Sequence, residues 1–232
     1  VGTIEAAMSL VQYYHSSTDT IIDAIMVAKG IYEEPIFLAE NVRVVGACPA
    51  ETVLHSEEGE DYPVVWMETA AENSLENFSI TGNNGGIVIT GTTLATVSNV
   101  KLDGQTLGVR DKTLCQSFYG DYCADTRVNL TEVSINGSSL GLYVEGADTI
   151  VHASDISVSG QVSDLGTGVS LFEARLVMDR VYIAGSPYGI SQAGGNLRVN
   201  QAMVVGVDYP FDSYEAESII VDEILVEDAE NG

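Results

Sequence analysis

Two carboxylates, a guanidinium and a phenol recur along this chain at a spacing that could bring them together: Glu132, Asp155, Arg180 and Tyr182. The first three are separated by 23 and 25 residues. If each interval is one turn of a stacked structure, neighbouring strands about 4.8 Å apart put the two acids one rung from each other. Carboxylates that close repel unless a cation lies between them or one of them keeps its proton at a raised pKa. That is the arrangement general acid–base catalysis uses, and Arg180 would be placed to hold an anionic substrate. Lys101 falls in the same pair of columns. The plainer reading is a solvated polar face, partly neutralised by Arg180.

A second group lies between Asp111 and Asp125, where Phe118, Tyr119 and Tyr122 stand beside Asp121. Aromatic rings stack on pyranose faces and carboxylates accept hydroxyl hydrogen bonds, so this chemistry suits sugar binding. The alternative is that the rings pack down and seal the turn beneath them. Cys115 and Cys123 bracket the aromatics. A disulfide between them would staple the loop and imply an oxidising compartment. Cys48 reads as a small core residue. His15, His55 and His152 are far apart, His152 reads as a surface histidine on an outward column beside Asn129 and Val177, and no closely spaced cysteine pair exists, so no metal site is expected. No cofactor is required, and calcium is the cation that paired acids would take. Neither a GxSxG elbow nor a P-loop occurs.

The elements that must position these residues follow from a repeat. Glycines at 82, 104, 137, 160, 185 and 206 are separated by 22, 33, 23, 25 and 21 residues. Four residues before each glycine, and two residues before it, lie apolar side chains, as in Val100/Leu102, Val133/Ile135 and Val181/Ile183. Apolar residues also stand five and three positions upstream of this reference, as in Val128/Leu130 and Leu176/Met178. Each copy therefore holds two half-buried strands and room for a third, with glycine at the corners. One strand-bearing unit per 20 to 25 residues is the mark of a solenoid. The expected fold is an all-β, single-stranded parallel β-helix of about eight or nine coils spanning 20–226, within one domain of 232 residues. The 110–126 segment is an insertion that stretches one spacing to 33. Glu132, Asp155 and Arg180 fall in the column before the reference residue and Tyr182 in the column after it, both expected on one outward face.

The first nineteen residues differ. Ile4, Ala7, Met8 and Val11 share a helical face, which predicts a capping helix over the open end of the solenoid, with Tyr13 to Asp19 as a loop into the first coil. At the far end, Ser218–Val226 repeats the strand pair without an evident cap. Either acidic residues blunt that edge, or the chain continues into further domains. A start at Val1 points to a mature or trimmed form.

The chain carries 34 acidic and 9 basic residues, a net charge of −25. Such a surface repels nucleic acid, which requires clustered Lys and Arg. No stretch approaches the ~20 apolar residues of a membrane span.

Three segments also carry a resemblance: Thr3 to Ala7, then Ile25, Val27, Gly30, Tyr32 and Glu34 in an I-x-V-x-x-G-x-Y-x-E pattern, then Val42 to Gly46. They resemble the opening of pectin-lyase-like right-handed β-helix proteins, pectin methylesterases among them. The resemblance implies a right-handed β-helix and a fold often used on polysaccharides. The signature segments of methylesterases and polygalacturonases are absent. The expected function is a secreted or cell-surface, non-catalytic module for glycan binding, adhesion or structure. The alternative is a polysaccharide lyase, esterase or glycoside hydrolase working through the Glu132, Asp155, Arg180 and Tyr182 group.

Overall fold

The computed structural model describes residues 2–17, 22–38, 41–56, 63–68, 72–82, 85–91, 94–104, 107–112, 126–160 and 166–228. They form a parallel β-solenoid of about eight turns behind one N-terminal helix. A sheet of eleven described strands and a sheet of eight run the length of the molecule, with parallel pairing throughout.

Each regular turn contributes one long strand to the larger sheet and a short one to the smaller. Thr126–Asn136 and Leu140–Glu145 form one such turn, Thr149–Ser159 and Thr167–Phe172 the next. The long strand is two strands joined at a corner, and the sequence shows why. Its burial alternates through Thr126, Val128 and Leu130, then meets two exposed residues, Thr131 and Glu132, before resuming at Val133 and Ile135. A period-2 pattern that slips by one residue has to bend, since otherwise one half would turn its apolar side to water. The bend is made by a left-handed residue: Asn77, Asn99, Glu132, Asp155 and Arg180 have φ of 63°, 52°, 56°, 56° and 54°.

The core is a stack of like side chains. Leu102, Ile135, Val158, Ile183 and Val204 occupy one inward column and are at most 1% exposed. Each contributes roughly 1.5–3 kcal/mol of burial. The two glycine columns have different causes. Gly137 turns the corner with φ of 69°, a conformation that costs a side chain with Cβ. Gly168 is needed for space, because a Cβ there would stand 2.6 Å from Cγ2 of Ile183. In the last copy Asp228 occupies the corner column with φ of 54°.

Helix α1 (Ile4–Ser17) covers the first coil with Ile4, Met8 and Val11. It runs through Tyr13 to Ser17, where the sequence predicts a loop. Ser16 Oγ donates to the Tyr13 carbonyl at 3.0 Å and Ser17 Oγ reaches the same oxygen, which closes the final turn. The helix start is tied to the coil by Glu34, whose Oε1 accepts the Ile4 N–H at 2.7 Å and whose Oε2 accepts that of Glu5 at 3.4 Å. A carboxylate on the first free N–H groups satisfies both hydrogen bonding and the helix dipole. At the other end, Ile219, Val221, Ile224 and Val226 of the edge strand Ser218–Glu227 lie 37–40% exposed.

Candidate functional site: the corner ladder and its flanks

Glu132, Asp155 and Arg180 lie on successive rungs of the corner, since the residues on either side of each pair in register. Their column is the bend itself and not one half of a flat outward face, because each takes the left-handed conformation. The column after the reference is an outward face: Ser134, Ser157, Tyr182, Met203 and Leu225 stand in register along it. Tyr182 is 40% exposed.

Arg180 and Asp155 form a bidentate pair, Nε to Oδ1 at 2.7 Å and Nη2 to Oδ2 at 2.8 Å. Arg180 also binds the carboxylate of Asp179 through Nη1. The guanidinium hydrogen bonds hold the Asp155 carboxyl below its usual range, and the two aspartates raise Arg180 further. A carboxylate with both oxygens engaged is a poor general acid, and a guanidinium bound to two carboxylates has little left for a substrate. Of the carboxylate pair that spacing offers for acid–base work, Glu132 with Asp155, the Asp155 member is committed to Arg180.

Glu132 stands one rung from Asp155 and is exposed. Lys101 belongs elsewhere: it pairs with Asp103 at 2.8 Å, three rungs and roughly 14 Å from Tyr182. The same corner column holds Asn77 and Asn99, joined by Asn99 Nδ2 to Asn77 Oδ1 at 2.8 Å. It also holds Gln201 and Glu223, joined at 3.1 Å. Around Tyr182 these residues shape an open trough of about 370 Å³, lined by Arg180, Tyr182, Gln201, Met203, Glu223 and Leu225.

Phe118, Tyr119, Asp121 and Tyr122 lie outside the described residues, as do Cys115 and Cys123. Cys48 has a free thiol and is half-buried in a turn, not in the core. Its carbonyl accepts the N–H groups of Glu51 and Thr52. Among the described residues, no three His, Cys, Asp or Glu side chains converge as metal ligands would. No described helix is long and apolar enough to cross a membrane.

Sequence reasoning placed His152 correctly, outward between Asn129 and Val177. It missed what surrounds it. Arg127 and Arg175 lie in the neighbouring outward column, two rungs apart with Ile150 between them, and Arg198 follows Val177 in the His152 column. The signal lies six residues before the reference, where Arg127, Ile150, Arg175 and Asn196 return at the same period as the inward columns. No family model matches this chain, and no curated protein is found similar to it.

Proposed function

We propose that this chain is a non-catalytic β-helix module of the pectin-lyase-like type, acting at the cell surface or after secretion by binding glycans. The observation that carries this reading is the trough at Tyr182. An exposed ring lies beside amide and carboxylate groups that are fixed by pairing across coils. A sugar ring can stack on such a phenol while its hydroxyls bond to a pre-ordered rim, so little side-chain entropy is lost on binding. The rigid stack of coils supports a binding surface without moving parts. The Asp155–Arg180 pair favours binding over acid–base chemistry, since its carboxyl is held ionised.

The test is retention of the protein on immobilised neutral polysaccharides, with product release followed in parallel and calcium present or absent. Retention that falls about tenfold in Tyr182→Ala, with no new reducing ends, unsaturated products or released acyl groups, supports the module. Product formation abolished by Glu132→Gln would instead establish the enzymatic alternative. Absence of both retention and products would leave a structural or adhesive role.

A further inference from the structure

A chain with nine basic residues and a net charge of −25 places three arginines and a histidine around one groove of about 370 Å³ on its larger sheet. They are Arg127, His152, Arg175 and Arg198, and no Asp or Glu lines that groove. With 34 acidic residues in the chain, a lining without Asp or Glu is a local departure from the rest of the surface, the nearby carboxylates being Asp222 on Arg198 and Glu217 on Asn196. Arg198 is partly committed, bonding Asp222 at 3.2 Å and Asn200 at 3.0 Å. Arg127 and Arg175 have no ion pair or hydrogen-bonded side-chain partner among the described residues, and both are exposed. Elsewhere on the surface, Lys29, Arg43, Lys101 and Arg180 all hold carboxylates.

We propose that this groove binds the anionic groups of an acidic saccharide, with Arg127 and Arg175 each taking one oxyanion. The inference rests on the glycan-binding reading and names a second site and a ligand class for it. Guanidinium forks match carboxylate and sulfate oxygens two at a time. The arginines stand two rungs apart, roughly 10 Å along the solenoid axis, so they suit a strand that carries charge at intervals and not a single small ion. Ile150 and Val177 form the floor between the basic residues. An apolar floor with cationic edges matches a sugar ring bearing an acidic substituent, whose C–H face can lie on the aliphatic side chains. His152 adds a ring N–H donor at the same level. An acidic saccharide differs from nucleic acid in the C–H face that it can lay on Ile150 and Val177 while its oxyanions meet the arginines.

The experiment measures binding of the full chain to dextran sulfate, alginate, unsubstituted dextran and a single-stranded oligonucleotide. It is done at physiological ionic strength with a chelator present, so that calcium cannot bridge alginate to the acidic surface. The expected result is binding of dextran sulfate, alginate or both above unsubstituted dextran, with affinity falling at least tenfold in Arg127→Gln and in Arg175→Gln. Preference between the sulfate and carboxylate polymers identifies the source of the oxyanion. Circular dichroism and thermal unfolding should leave both variants indistinguishable from the parent, as exposed positions on extended strands. Acidic-polymer binding unchanged in the arginine variants would overturn the groove while leaving glycan binding at Tyr182 standing. Binding of neither acidic nor neutral polymer would overturn both, and oligonucleotide binding equal to that of dextran sulfate would overturn the saccharide assignment.

Discussion

The corner ladder and the arginine groove are built on the same long strands, three to five residues apart, yet they treat charge in opposite ways. At the corner, Arg180 is engaged by Asp155 and Asp179, and the Asn77–Asn99 and Gln201–Glu223 pairs of the same column are closed in the same manner. In the groove, Arg127 and Arg175 are exposed, and no carboxylate is ion-paired to them among the described residues. The backbone differs as well. The corner is left-handed at Glu132, Asp155 and Arg180, whereas the groove residues sit within paired, extended strand. One column serves to turn the chain and lock coil to coil, and the other leaves its charge available. Residue type and spacing locate groups capable of chemistry, but the partner each group already has decides whether that chemistry is offered to a ligand.

The largest test of this contrast is a paired substitution. The double variant Arg127→Gln/Arg175→Gln should lower affinity for acidic polysaccharide by on the order of a hundredfold, because each charge-assisted fork is worth roughly tenfold or more. Arg43→Gln, which removes a guanidinium already held by Glu76 outside both the groove and the trough, should change that affinity less than about twofold in the same assay. Equal losses would erase the distinction between engaged and free arginines.

Backbone strain gives the next effect. Glu132→Val puts a β-branched residue at φ of 56° and should destabilise the fold by about 1–2 kcal/mol. Arg127→Val, on an extended strand, should stay within roughly 0.5 kcal/mol of the parent. Denaturant unfolding of the two variants side by side measures the difference, and equal costs would place the bend elsewhere.

Smaller effects come from the ion pair. Removing Arg180 should shift the unfolding temperature by no more than about 2 °C, since exposed pairs contribute little to stability. The Asp155 carboxyl should titrate below its usual 3.8 and move back toward that value in Arg180→Gln, as read by carboxyl NMR. A lowered folded-state pKa means the stabilisation is present above the unfolded carboxyl's pKa. It is lost as the pH falls through the lowered value, so acid should weaken this corner and leave the groove arginines charged.

The coil repeat was legible because stacking forces equivalent residues into columns, and columns return at a fixed period. The inward positions of Val133, Ile135, Val158 and Ile183 could thus be assigned without coordinates, as could the registers of His152 and Tyr182. Helix α1 was legible from its apolar face but not in its length, since the closing bonds from Ser16 and Ser17 to Tyr13 are local choices that periodicity does not carry. The role of Glu34 was hidden as well: it stands 30 residues from the helix start that it caps.

By itself, the sequence determined the solenoid, its pitch, the inward columns and the excess of negative charge, all properties set by local pattern and composition. Only the tertiary structure decided that Asp155 is bound by Arg180 and held ionised, that the column before the reference is a corner, and that Arg127, His152 and Arg175 converge. Those outcomes depend on which rung each side chain faces across a gap of about 4.8 Å, and on the sign of one backbone angle. A hydrophobic pattern records neither.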